Sequence, residues 1–223
     1  MQEFLKDYNA DNYKHPSVTT DTLVFSINDK NELCVLLMKR TEMPFKNQWA
    51  IPGGFVELNE NLEDNAKRKL AEKVNLKNLK LEQLYTFGEV DRDPRTRVIS
   101  VVYFTLIPNV KDLISKNVIK YISIKELDNY EIAFDHKDII KLAVERIRTK
   151  IYWSDLAFDL IKNKKQFTIY ELQKIYEAIL DKKLDVPNFR RMFESRFVKE
   201  QKVEKTGEKC KVFSRPSDYY RLK

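Results

Sequence analysis

The chain has 223 residues, 43% hydrophobic and 34% charged, enough to bury a sizeable core, which excludes a small stapled scaffold and wholesale disorder. Its formal charge of +7, from 41 Lys+Arg against 34 Asp+Glu, favours a polyanionic partner such as nucleic acid or a phosphorylated ligand. Two cysteines, Cys34 and Cys210, lie far apart without His or acidic residues at ligand spacing, which excludes a disulfide framework and a zinc site.

From the N-terminus, Met1–Lys14 is polar, and no later stretch approaches the roughly 18 apolar residues of a membrane span, so a cytoplasmic chain is expected. Val18–Ile27 and Glu32–Lys39 are rich in β-branched and apolar residues and flank Asn28-Asp29-Lys30-Asn31, which predicts a hairpin. A helix is predicted over Asn61–Val74, capped by Asn61 and burying Leu62, Ala66, Leu70 and Val74. Strands follow at Gln83–Phe87 and Arg97–Ile107, the second so continuously apolar that both its faces should be buried, and at Lys120–Ile124. From Asp135 to Lys150 a helical stripe carries Ile139, Ile140, Ala143, Val144 and Ile147. This mixture argues for an α+β chain whose first part is an α/β/α sandwich.

The remainder reads differently. Leu156–Ile161 and Ile169–Leu180 are helical, the latter with Thr168 as N-cap and Leu172, Ile175, Tyr176 and Ile179 on one face. A third helix, capped by Asp185, carries Asn188 to Arg196, and Phe197–Val203 and Lys209–Ser214 flank a turn predicted at Lys205-Thr206-Gly207-Glu208. Helices followed by a basic hairpin make a winged helix-turn-helix. A boundary near residue 150 gives domains 1–150 and 151–223, with 24 basic and 23 acidic side chains in the first and 17 and 11 in the second. Thus +6 of the +7 lies in the last third.

The most specific spacing runs from Gly54 to Leu76 and resembles the Nudix box, G-x5-E-x7-R-E-U-x-E-E-x-G-U with U a bulky apolar residue. Gly54, Glu60, Arg68, Leu70, Glu72 and Leu76 match in register, whereas Lys69, Lys73 and Asn75 stand where the box has Glu, Glu and Gly. In such a box, carboxylates on one helical face hold Mg²⁺ against a substrate diphosphate. Three carboxylates there would carry −3, but Lys69, Glu72 and Lys73 carry +1. With roughly 4 kcal/mol per unit-charge contact at about 4 Å near a protein surface, Mg²⁺ should be repelled, so no catalytic residue, metal or cofactor is expected. The bland alternative is that the two lysines belong to a solvated face, Lys69 pairing Glu72. Glu60 and Arg68 fit a structural ion pair as well as a catalytic one.

Taken whole, the chain is similar to Nudix-related transcriptional regulators, bacterial repressors or activators that join a metabolite-sensing Nudix-like domain to a DNA-binding winged helix. The resemblance rests on Val35–Arg40, Pro44-Phe45, Trp49–Val56, Leu84–Gly88, Asp91–Arg95, Asn188–Arg191 and Ser214–Pro216. It implies ADP-ribose or another sugar or sugar phosphate as effector. Arg40, Trp49, Arg92 and Arg95 are the ligand candidates, because cations suit phosphates and aromatic faces suit a base or sugar. Asn188, Arg190, Arg191 and Arg196 offer an amide for adenine and guanidinium groups for guanine or phosphate, and Lys205, Lys209, Lys211 and Arg215 offer phosphate contacts. Partners are then double-stranded operator DNA and the effector, with a homodimer on a palindrome. The alternative is a Mg²⁺-dependent ADP-ribose or nucleoside-diphosphate-sugar pyrophosphatase. His15 and His136 are assigned no role.

Overall fold

The computed structural model describes residues 14–108, 118–212 and 215–223, so most of the polar start lies outside the described residues. Strands β1 (Ser17–Ile27) and β2 (Leu33–Lys39) pair antiparallel, Phe25 opposite Val35. Asn28 shapes the turn between them, its Oδ1 accepting from the amides of Lys30 and Glu32 at 3.0 and 2.9 Å. Strands β3 (Trp49–Ala50), β4 (Gly53–Phe55), β5 (Glu82–Phe87), β6 (Val98–Leu106) and β7 (Ile119–Ser123) complete a seven-stranded mixed sheet among the described residues. β1 lies at its centre, parallel to β6 and antiparallel to β2 and β4.

Alternation along the central strands explains the two faces. Leu23, Phe25, Val35, Leu37, Val102 and Phe104 point to the side covered by α2 (His136–Lys150), where Ile139, Ile140, Ala143, Val144 and Ile147 form the buried stripe. Val24, Leu36, Val101 and Tyr103 point the other way, to α1 (Leu62–Val74) and its Ala66, Leu70 and Val74. Both faces of β6 are therefore apolar, as a strand between two helical layers requires. Two details of α1 differ from expectation. Leu62 is exposed, and the Asn61 side chain does not accept from the helix; its Nδ2 donates to Asp64 Oδ2 at 3.0 Å.

Beyond α2 the chain passes through a 3-10 segment, Leu156–Leu160, into α3 (Ile169–Leu180) and α4 (Val186–Phe193), which continues as a π turn over Glu194–Val198. Both predicted caps form: Thr168 Oγ1 accepts from Glu171 N at 3.1 Å, and Asp185 Oδ1 accepts from Asn188 N at 2.9 Å. Phe189, Phe193 and Phe197, four apart, are buried with Phe158, Tyr176 and Tyr220. The apolar core is continuous from Ile147 through Ile151 into this unit. Strands β8 (Phe167–Thr168), β10 (Arg215–Leu222) and β9 (Val203–Val212) make a second sheet in that order.

The wing corrects one expectation. Lys205–Glu208 is not the hairpin turn; β9 runs through it, and Phe197 and Val198 belong to the helical end. Between Lys205↔Tyr220 and Lys209↔Asp218, three residues of β9 face one of β10, and Gly207 takes φ 88° in that bulge. No helix among the described residues is long and apolar enough to cross a membrane.

Candidate functional site

A cleft of about 520 Å³ opens between β4 and α1 on one side and the segments around residues 92–95 and 134–136 on the other. Its wall depends on Gly53 and on Gly54, the first residue of the box. Gly53 pairs with Asp21, and a Cβ there would fall 2.0 Å from Asp21 Oδ1 and 2.4 Å from the Thr20 carbonyl oxygen. At Gly54 a Cβ would meet Lys69 Cε at 2.7 Å, so the bare backbone lets the lysine stem lie along the loop.

Cations stacked on aromatic rings form the opposite side. Arg40 Cζ lies 4.8 Å from the centroid of Phe134, and Arg95 Cζ lies 5.8 Å from the same ring and 5.5 Å from that of Phe55. Phe134 holds φ 56°, a left-handed conformation that costs a bulky residue about 1–3 kcal/mol. Phe45 and His136 pack it in place, with ring centroids at 4.8 and 5.2 Å. Burial, and then the charge of Arg95, push the Arg40 guanidinium below its ordinary pKa. Arg95 is in turn held by Asp93 through contacts of 3.0 and 2.7 Å, which draw the Asp93 carboxyl below the usual range. His136 is buried, and its Nδ1 accepts from Ile51 N at 3.0 Å, fixing the segment that leads into the glycines.

The retained box carboxylates, Glu60 and Glu72, are not among the residues that line the cleft. Arg68 forks onto Glu60 at 2.9 and 2.6 Å and reaches Glu72 at 3.0 Å and Glu57 at 3.1 Å. Glu60 also accepts from Asn65 Nδ2 at 2.6 Å and Glu57 N at 2.8 Å, and these bonds, led by Arg68, hold its pKa at about 2. Asn65 is buried between β1 and this loop, linking Thr20, Phe55 and Glu60. Lys69 and Lys73 do line the cleft. Lys69 Nζ is 3.5 Å from Glu72 Oε2. Lys73 leaves much of its surface exposed, yet its Nζ donates to the Gly53 carbonyl, and loss of solvent at that end pushes its pKa down.

Of the four ligand candidates, Arg40 and Arg95 line the cleft. Arg92 lines it, but its side chain is only 5% exposed and forks onto Asp135 at 2.8 and 2.7 Å. Trp49 is a correction: it is 9% exposed and belongs to the core, edge-on to Tyr130. Phe134 and Phe55 were not anticipated. Phe55 lies within the matched Trp49–Val56 stretch, whereas the backbone conformation of Phe134 leaves no mark in the sequence.

On the second unit, Asn188, Arg190 and Arg191 lie on the exposed side of α4, with Arg191 Nη2 donating to Asn188 Oδ1. Lys205, Lys209 and Lys211 are exposed along β9, Lys205 paired with Asp218 at 2.6 Å. Arg196 is not on this surface. Its side chain is 16% exposed, and its guanidinium donates to the carbonyls of Ile151 (2.8 Å) and Ser154, and to Tyr176 Oη at 3.3 Å. Arg215 opens β10, and its side chain lies outside the described residues.

These two surfaces sit on a chain whose residues 18–143 match the Nudix domain model and whose residues 158–222 match that of the NrtR DNA-binding winged helix domain. It is 35% identical to the ADPR responsive transcriptional repressor NtrR of Acinetobacter baylyi, over 99% of this chain and 88% of that protein. Shewanella oneidensis NrtR complexed with a 27mer DNA superposes with a TM-score of 0.78 at 33% identity, covering 92% of this chain and 93% of that one. The Nudix domain of that protein complexed with ADP ribose gives 0.59 at 34% identity over 65% of this chain and 97% of that one. The chain belongs to the NrtR family of transcriptional regulators, a Nudix domain joined to a DNA-binding winged helix.

Proposed function

We propose that the chain is an ADP-ribose-responsive transcriptional repressor whose effector enters the cleft and lowers the affinity of the winged helix for operator DNA. The observation that carries the reading is the make-up of the cleft, Arg40 and Arg95 stacked on Phe134 and Phe55 with the box carboxylates engaged elsewhere. Its volume suits a small-molecule ligand, for which clefts of about 300–1,000 Å³ are usual. Rings and cations together match a ligand made of a base, sugars and phosphates. In this reading Asn188, Arg190 and Arg191 meet the major groove and Lys205, Lys209 and Lys211 meet phosphates. The sensing function belongs to 1–150 and DNA binding to 151–223, in a cytoplasmic homodimer on half-sites about 34–36 Å apart or a multiple of that.

Fluorescence anisotropy with labelled DNA from upstream of the chain's own gene tests it. Salt-sensitive binding that ADP-ribose reverses is expected. Absence of salt-sensitive binding at any such site, or binding indifferent to ADP-ribose, would sink the proposal.

A further inference from the structure

A Nudix fold implies Mg²⁺ at its box, and the residues of this chain do not fit one. Magnesium demands oxygen ligands at near-octahedral geometry, but the three helix positions are Lys69, Glu72 and Lys73. Glu72 is bonded by Arg68 and Lys69, and Glu60 is saturated by Arg68, Asn65 and the Glu57 amide. Among the described residues, no three His, Cys, Asp or Glu side chains are grouped to hold a metal ion.

What occupies the cleft wall in the metal's stead is positive charge. The Lys69 stem lies against Gly54, and the Lys73 ammonium reaches the Gly53 carbonyl, so both reach the glycine loop. Arg40 and Arg95 line the same cleft. Lys73 makes no ion pair with a carboxylate among the described residues, and Lys69 has only the 3.5 Å contact with Glu72. Asp21, which also lines the cleft, is buried, accepts from Ser100 Oγ at 2.5 Å and attracts the Lys73 ammonium. Five cations, Arg40, Lys69, Lys73, Arg92 and Arg95, thus line the cleft with four carboxylates, of which Asp93 and Glu57 are paired with arginines and Asp21 is bonded to Ser100, an arrangement that leaves room for an anion.

We infer that Lys69 and Lys73 hold the diphosphate of the effector directly, in place of a metal ion, so that this domain binds its ligand without Mg²⁺. The inference rests on the effector reading above. Each ammonium offers three donors to phosphate oxygens, and two of them on successive turns of α1 span adjacent phosphates as a bridging cation would. The substitutions that remove the metal ligands then convert the same helix face from a metal holder into an anion holder.

Calorimetric titration of ADP-ribose into the full chain, once with excess EDTA and once with millimolar Mg²⁺, is the first test. The same or tighter binding in EDTA is expected, and binding that requires Mg²⁺ would overturn the inference. Lys69→Gln, Lys73→Gln and their double variant follow, each checked by thermal melting. The double variant should lose at least about tenfold in affinity in EDTA, near 1.4 kcal/mol, and wild-type affinity in a folded double variant would overturn the inference too. Lys69→Glu with Lys73→Glu should abolish binding in EDTA and regain it with Mg²⁺. If the wild-type chain binds no ADP-ribose under either condition, the effector reading fails, and inorganic pyrophosphate becomes the probe. Pyrophosphate binding in EDTA that the glutamine variants lose would keep the lysine assignment, and its absence would end both.

Discussion

Replacing Arg196 with alanine should weaken the fold while leaving the proposed DNA-contacting surface intact. The guanidinium donates to the carbonyls of Ile151 and Ser154 and to Tyr176 Oη, and it lies 4.9 Å from the Phe197 ring centroid. It therefore fastens the chain just after α2 to the end of α4. A hydrogen bond from a charged donor contributes about 1.5–3 kcal/mol, and its loss leaves acceptors unsatisfied where water is excluded. At 16% exposure water replaces part of the loss, so the expected cost is roughly 2–4 kcal/mol. At about 2–4 °C per kcal/mol for a chain of this size, Tm should fall by roughly 4–16 °C. The assay pairs a thermal melt with anisotropy titrations at several salt concentrations, run well below the Tm of the variant. A phosphate contact carries a salt slope of about 0.9; Arg196→Ala should leave that slope unchanged. An unchanged Tm with a slope reduced by about 1 would refute the reasoning and return Arg196 to the DNA surface.

Lys209→Ala and Lys211→Ala should do the reverse, each lowering the log–log salt slope by about 1 with Tm unchanged, as exposed residues in phosphate contact would. Gly53→Ala should cost about 2 kcal/mol or more in a urea melt, because its Cβ would lie 2.0 Å from Asp21 Oδ1. Gly88→Ala, where the nearest atom is 4.0 Å away, is the control and should stay within about 0.5 kcal/mol. Acid should destabilise the chain in two stages. Burial holds His136 below its ordinary pKa, so the unfolded chain takes that proton first and stability falls below about pH 6.5. Glu60, held at about 2 against an ordinary 4.5, adds a second fall from about pH 4.5 downward. Melts across pH should show the first stage lost in His136→Gln and the second reduced in Glu60→Gln, with Asp93 and Glu72, also held below their ordinary range, keeping part of it; a Tm that is flat below neutrality would contradict both assignments.

What the sequence discloses and what it withholds follow the range of the forces involved. The stripes of α2 and α3, the caps Thr168 and Asp185 and the register of the box are local, and each stands as expected. Gly207 signals a turn or a bulge equally well; pairing of β9 with β10 decides for the bulge. Trp49 and Arg40 are both large side chains near the same motif, and only the pairing of β3 with β2 sends one inward and leaves the other on the cleft. Arg92 depends on Asp135, 43 residues away. Arg196 was legible after all. It stands seven residues after Phe189, so helical periodicity alone turns it towards the buried face. The committed state of Glu60 was half legible: Arg68 is at box spacing, but Asn65, buried and bonded on three sides, reads in the sequence as an ordinary polar helix residue.

One helix spans the distance between the two surfaces, and it is held at both ends. At its start Asp135 receives the fork of Arg92, His136 receives the Ile51 amide, and Phe134 stands in the cleft. At its end Arg148 Nε donates to the Ile179 carbonyl at the close of α3, while Tyr176 and Arg196 both donate to the Ile151 carbonyl. The 15 residues of α2 make a rod of roughly 22 Å at about 1.5 Å per residue, packed along its length by a buried stripe that leaves little room to absorb a shift. A ligand that moves Phe134 should therefore move α3 and α4. Spatial continuity is not coupling, so the test reads coupling itself. Effectors commonly change partner affinity by about 5–150-fold, and the factor here is the ratio of DNA Kd values with and without saturating ADP-ribose. Arg92→Ala frees the start of α2 without removing Arg40, Arg95 or the box lysines. ADP-ribose should still bind, while its effect on DNA affinity falls towards onefold. A variant that loses ADP-ribose binding instead makes Arg92 a ligand contact, and one that keeps both binding and the full effect on DNA removes α2 from the transmission of the signal.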